Sequence, residues 1–253
     1  MKNAEPSMNP RLPFLTLALA LGALSLGCSS DKHSAPNGAA GDAAGGSSSG
    51  PLPQGPLLPW AVGNNWTYQV TKGAVVSMKT TTIGDLEAVG GDGPNASAMA
   101  NHVTTGKGDN DHTESWQTPS SDNPERFVRY REQSFSATTG DLTTDTYWDP
   151  EKLHVDGSAE RTSKAASWLE SYAETKLPTG LAAATHDVRE RWTVLDDDET
   201  LTVPLDTFEH VVHFQKVGSS TSKEYWYLRG VGKLKETGSQ TEELTAYHLE
   251  NAP

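Results

Sequence analysis

Residues 201–236, LTVPLDTFEHVVHFQKVGSSTSKEYWYLRGVGKLKE, alternate with a period of two and carry aromatic side chains. Phe208, His210, Val212 and Phe214 share one face, and Glu209, Val211, His213 and Gln215 share the other. Consecutive side chains of a strand point to opposite faces of a sheet, so this pattern predicts strands with one buried face. Val217-Gly218-Ser219-Ser220 reads as a turn, and Tyr225-Trp226-Tyr227-Leu228 as the returning strand. The segment is therefore two or three consecutive antiparallel strands.

The same alternation runs through the chain from about residue 57. Gly63-Asn64-Asn65 turns into a first strand, Trp66-Thr67-Tyr68-Gln69-Val70-Thr71. Residues 75–83 form a second strand, rich in Val and Thr. Residues 98–105 and 113–117 read as a hairpin, and 126–133 alternate Phe127, Arg129 and Arg131 against Val128, Tyr130 and Glu132. The run at 143–148 is expected to end at Asp149-Pro150, with a short strand at 152–155. Residues 165–172 fit helical and extended spacing alike, and the neighbouring strands favour strand. Residues 177–180 read as a loop. Residues 189–195 and 201–203 flank Asp196-Asp197-Asp198-Glu199, a predicted hairpin with an acidic tip. Gly230 and Gly232, inside a strand pattern, predict a bulge or a close backbone approach. The last strand is 244–249.

Nearly every predicted strand holds a Trp, Tyr or Phe. An aromatic side chain buries about 150–250 Å², so one per strand builds a core from a sequence poor in aliphatics. The expected fold is all-β, a single antiparallel, strongly curved sheet or an incomplete β-barrel over residues 57–253.

Residues 1–27 read as a removable export signal. Lys2 and Arg11 supply positive charge, and the apolar run 12–26 is shorter than the ~20 residues that span a bilayer. Met1 and Met8 both leave Arg11 and the whole run in place. The run ends in Leu24-Ser25-Leu26-Gly27-Cys28-Ser29, which resembles the lipobox of bacterial lipoproteins. Ser25 stands three places before the Cys, where the pattern usually has Leu. Gly27 and Cys28 fit the pattern. The resemblance implies that Cys28 becomes the acylated first residue, with three acyl chains, where two or more already anchor stably. Ser29 after the Cys is similar to lipoproteins sorted to the outer membrane of Gram-negative cells. Cys28 is the one cysteine of the chain, so no intrachain disulfide forms. Residues 28–56, dominated by Ser, Gly, Ala and Pro, read as a flexible linker that reaches about 30 Å.

The chain carries 33 Asp and Glu against 20 Lys and Arg, a formal net charge of -13. Removing the signal takes Lys2, Arg11 and Glu5 and leaves the rest one unit more acidic. This balance argues against a nucleic-acid partner, which needs clustered Lys and Arg against phosphate.

Gly63-Asn64 before Trp66-Thr67-Tyr68, Val203-Pro204 with Thr207-Phe208-Glu209, and Tyr225-Trp226-Tyr227 with Gly230-Val231-Gly232-Lys233 together resemble an uncharacterised group of bacterial lipoproteins. The similarity spans about residues 57–250. Asp206 stands where that group usually has Gly. The resemblance implies a β-rich domain and no established activity. More distantly, the strand order is similar to the half-barrel folds of envelope lipid carriers, which is fold analogy only.

No catalytic site, cofactor or metal is expected. Gly46-Ser47-Ser48-Ser49-Gly50 matches the nucleophile-elbow pattern, but no strand leads into it and no helix follows. His210 and His213 lie on opposite faces of a strand and cannot share an ion. Asp109, Asp111 and Glu114 could form a weak calcium loop, but the EF-hand glycine and final Glu are missing, and a solvated loop is the simpler reading. The expected role is a non-catalytic envelope module that holds a lipid or other apolar ligand on a concave face lined by Trp66, Tyr68, Phe208 and Trp226. The alternatives are a structural or assembly lipoprotein that binds another envelope protein, and a hydrolase.

Overall fold

The computed structural model describes residues 54–107 and 111–250. The export signal, Cys28, most of the linker and Asp109 lie outside the described residues. Twelve antiparallel strands follow one another around a closed barrel. They are β1 Asn65–Lys72, β2 Val75–Ala88, β3 Met99–Gly106, β4 His112–Pro119, β5 Arg126–Phe135 and β6 Leu142–Asp156. They continue as β7 Ser167–Pro178, β8 Ala184–Thr202, β9 Thr207–Val217, β10 Ser222–Leu228, β11 Gly232–Thr237 and β12 Thr241–His248. One helical turn, Ala159–Thr162, lies between β6 and β7.

The all-β expectation is met, and the sheet closes completely. β1 pairs with β12 from Asn65↔His248 to Thr71↔Thr241, with one bulge at Thr67/Tyr68. Closure removes the two open edges a curved sheet would leave. Cross-strand threonines support the ladders through Thr67–Thr80 at 3.0 Å, Thr81–Thr105 at 3.1 Å and Thr175–Thr185 at 2.9 Å.

Because every connection is a hairpin, loops alternate between the two ends of the barrel. The turns β1–β2, β3–β4, β5–β6, β7–β8, β9–β10 and β11–β12 lie at one end, here the upper end. The remaining loops lie at the lower end, where the chain also enters. Leu57 and Leu58 are buried there, and the Gly230 amide donates to the Pro56 carbonyl at 2.9 Å. The two glycines expected to mark a close approach do so. A Cβ on Gly230 would sit 2.7 Å from the Gln54 carbonyl oxygen. Gly232, at φ +104°, would press one to 3.0 Å from Trp66 Nε1.

Several local expectations are corrected. Asp196–Glu199 is not a hairpin tip: β8 runs through it with register shifts against β9. The Asp196 carboxylate accepts from the Asp197 and Asp198 amides at 2.9 and 3.2 Å, which folds the extra residues into a bulge. The turn falls instead at 203–206. Asp149-Pro150 does not end β6, because Pro150 sits where the β5–β6 ladder is already interrupted, between Arg129 and Arg131. Leu177 and Pro178 close β7 and are not loop.

A barrel of eight strands is filled by its own side chains, and a wider one is not. Here part of the interior is filled by a core that includes Trp66, Trp168, Trp192, Val194, Phe214, Tyr227, Leu234 and Leu244. Trp192 is its centre, 1% exposed, stacked on Trp168 at 6.1 Å and on Tyr225 at 5.5 Å, with Phe214 edge-on at 6.1 Å. A smaller cluster of Val89, Ala100 and Trp116 packs separately. Trp192→Ala is expected to lower the unfolding free energy by about 3–5 kcal/mol, the usual cost of truncating a buried Trp, measured by urea denaturation.

Candidate functional site

The rest of the barrel interior holds a cavity of about 390 Å³. Its lower wall is apolar, with Leu58, Trp60, Ile83, Val103 and Leu153. It extends upward to Lys107, which is exposed at the β3–β4 turn, and to Lys223 and Gln240 near the other upper turns. Its walls are cationic. Lys79, Arg129, Lys152, Lys216 and Lys233 line it together with Lys107 and Lys223, against Glu132, Glu236 and Glu242. A chain with 13 more acids than bases has turned a third of its cations inward.

On one side, β2, β10, β11 and β12 build a closed ion-pair lattice. Lys79 hydrogen-bonds Glu242. Lys233 donates to Glu242 at 2.9 Å and to Glu236 at 2.6 Å, and Lys223 donates to Glu236 at 2.6 Å. Gln240 donates to the free oxygen of Glu242 at 2.8 Å. Burial opposes the charge on Glu236 and Glu242, yet Lys233 and its neighbouring lysines hold both carboxyls well below the usual range. Burial likewise opposes the charge on Lys233, and its two carboxylates hold its proton well above the ordinary value. Lys79, with one carboxylate and Lys233 beside it, is brought down to about 8 by burial first and by Lys233 second.

The opposite side, β4, β5, β6 and β9, is not balanced in this way. Lys216 meets Glu190 at 3.2 Å. Arg129 hydrogen-bonds Glu132 and points its second nitrogen at His154 Nδ1, 3.5 Å away. His154 is held neutral, its pKa driven well below the ordinary value by burial and then by Arg129. Lys152 has no carboxylate within 4 Å among the described residues. Its ammonium lies over the rings of Trp148 and Tyr172, 5.0 and 5.7 Å from the centroids. Burial, then Lys216, brings its pKa down to about 8.

Of the aromatics expected to face a ligand, Trp66 and Tyr68 line the cavity. Trp66 Nε1 donates to the Val231 carbonyl at 2.6 Å, and Tyr68 Oη to the Lys233 carbonyl at 3.1 Å. Phe208 packs against the core and is not among the lining residues. Trp226 lies across the strand from His213 and Lys235; it stacks on the His213 ring at 4.1 Å and donates to Glu199 at 3.1 Å. Tyr225 and Tyr227, the other parity of β10, line the cavity instead. Three consecutive aromatics hide that parity in the sequence. The lumen cations carried a readable signal that was passed over. Lys216 continues the parity of Val212 and Phe214, and Lys223 that of Tyr225 and Tyr227.

Other candidates resolve into local pairs. His210 meets Asp198 at 2.6 Å, and His213 meets Glu199 at 2.9 Å and Glu224 at 3.4 Å. Glu114 faces His102 at 3.4 Å and His112 at 3.7 Å. Among the described residues, no group of three His, Cys, Asp or Glu side chains is placed to hold a metal ion.

Fold and cavity together define a closed, twelve-stranded up-and-down barrel with a cation-lined lumen. No family model and no curated protein matches the chain. It is similar, at 9% identity and a TM-score of 0.43, to a Bacteroides fragilis crystal structure provisionally described as an exported protein of YmcC-like fold. That likeness covers 76% of this chain and 98% of the other.

The two walls predict opposite responses to neutralisation. Lys233→Met leaves two buried carboxylates with one lysine each, Lys79 on Glu242 and Lys223 on Glu236, and is expected to cost about 1.5–3 kcal/mol of stability in urea titrations. Lys152→Met removes a desolvated cation without an ionic partner, and is expected to leave stability at pH 7 unchanged or raise it by about 1–2 kcal/mol. In acid the sign follows from Glu236 and Glu242, whose folded pKa values lie below the ordinary 4.5. Their stabilising contribution is complete above pH 4.5 and is lost as pH falls through the folded values. Unfolding free energy is therefore expected to drop steadily below about pH 4.5, with a shallower slope in Glu242→Gln.

Proposed function

We propose that the protein is a membrane-tethered envelope lipoprotein whose barrel is a non-catalytic binding module for a small amphipathic ligand held in the lumen. The observation that carries this reading is the lumen cavity, apolar at its floor and charged along its walls. Its volume falls within the ~300–1,000 Å³ usual for small-molecule sites. An apolar floor alone would suit a purely hydrophobic ligand; the lysine-rich walls narrow the class to molecules that also carry a polar group. The described chain enters the barrel at its lower end, and the cavity reaches exposed Lys107 at the upper end.

The tether itself rests on the sequence. Leu26-Gly27-Cys28 after a charged and then apolar leader supports acylation at Cys28, and Ser29 supports sorting to the outer membrane of a Gram-negative cell. Cys28→Ser is expected to move the protein from the membrane to the soluble fraction; a variant that still sediments with membranes would refute the anchor. For the lumen, native mass spectrometry of gently purified protein is expected to show a small bound species. Thr105→Trp, which places an indole in the cavity, is expected to lose it. The absence of any bound species in the unsubstituted protein counts against the reading.

A second reading, docking of another envelope protein, is favoured by one feature. The β1–β2 hairpin projects beyond β3, whose pairing with β2 begins at Thr80↔Gly106, so residues 75–79 of β2 have no β3 partner among the described residues. Val75, Val76 and Met78 are exposed there. An unpaired strand edge with apolar side chains is a template for strand addition. Met78→Lys with Val76→Lys would abolish a partner's pull-down under this reading and leave lumen binding intact.

A further inference from the structure

The cavity wall holds one row of polar groups that the barrel itself satisfies only in part. Gln117 on β4 stands opposite Arg129 on β5, and Arg129 stands opposite Lys152 on β6. All three line the cavity. Neighbouring strands lie about 4.8 Å apart, so the row spans roughly 10 Å of wall. Gln117 is 3% exposed; its Nε2 donates to Ser115 at 2.7 Å, and its Oε1 has no partner. Lys152 has aromatic rings on two sides and, among the described residues, no carboxylate within 4 Å. Arg129 uses one nitrogen on Glu132 and aims another at neutral His154. Buried polar groups left unpaired are costly, and a buried cation without an anion more so. The lattice on the far wall shows that this fold can balance its lumen cations.

We propose that Gln117, Arg129 and Lys152 receive the oxyanion head, a carboxylate or a phosphate monoester, of a small amphipathic molecule whose apolar body lies on Leu58, Trp60 and Val103. This rests on the lumen-binding reading and deepens it. The guanidinium and ammonium supply charge-assisted donors, and the Gln117 amide, turned about its last bond, adds a neutral one. Leu153, next in sequence to Lys152, belongs to the cavity wall, so head and body meet where polar wall becomes apolar floor. At about 30 Å³ per water-sized group, the cavity holds roughly a dozen heavy atoms. That is the size of a medium-chain acid and smaller than a two-chain lipid. The mutual repulsion of Lys152, Lys216 and Arg129, which helps lower the Lys152 pKa, is what such a head would relieve.

The test uses the full chain carrying Cys28→Ser, so that no attached acyl group competes, with octanoate, octyl phosphate and octanol as probes in calorimetric titrations. At least one anion is expected to bind tenfold or more tightly than octanol, and the tighter of the two identifies the head. Lys152→Met is expected to lower that affinity at least tenfold, with octanol binding unchanged, and Lys152→Arg to keep most of it. Lys176→Met, outside the cavity, serves as a control that changes nothing. Equal binding of octanol and both anions, or undiminished anion binding in Lys152→Met, overturns the head-group assignment while the lumen reading stands. No binding of any probe overturns both. Independently of any variant, saturating octanoate is expected to slow acetylation of Lys152 by acetic anhydride, read by peptide mass mapping. Equal labelling with and without bound octanoate overturns the assignment.

Discussion

Pairing of β1 with β12 fixes everything else in this molecule. Once twelve strands close on themselves, the interior is too wide for side chains to meet across it. The chain answers in two ways. In one part of the interior large aromatics, with Trp192 among three ring neighbours, and the entering Leu57-Leu58 segment fill the space. In the rest long charged side chains reach inward and leave a cavity between them.

Those charges follow a physical division. On the β2–β10–β11–β12 wall each carboxylate lies between lysines, and Glu236, Glu242 and Lys233 stabilise one another's ionised forms despite burial. That lattice is structural: removing Lys233 takes one of two cations from each of two buried carboxylates. On the β4–β5–β6 wall Arg129 has Glu132 alone, and burial lowers the Lys152 pKa with no carboxylate in contact, among the described residues, to restore it. A group that costs stability at rest and faces a cavity is well suited to bind what the cavity takes in.

The external faces have a different character. Trp226 and His213 stack on the face away from the lumen, held by Glu199, Glu224 and Lys235. The acidic residues at 196–199 belong to the same region, where Lys164 and His210 meet Asp196 and Asp198. Most of the acidic excess is thus on the outside, and the lumen has the opposite sign. Within a Debye length of about 8 Å at physiological salt, a ligand in the mouth responds to the local wall and not to the net charge.

Period-two alternation made the strands legible from the sequence, because a half-buried strand must place apolar groups on every second residue. Gly230 and Gly232 were legible as a bulge or a close approach, because glycine inside a strand pattern leaves room where a side chain would stand. The hairpin drawn at residues 196–199 failed because a carboxylate that caps its own backbone can absorb extra residues into a bulge, and composition does not distinguish that from a turn. Trp226 could not be assigned to a face between Tyr225 and Tyr227, since all three are aromatic and burial on either side satisfies them. Only the closed barrel decides which parity faces inward, and with it that Lys152, Arg129 and Gln117 stand in one row. Their sequence positions lie on three strands, and register between strands is set by pairing across the whole sheet, which no local pattern encodes.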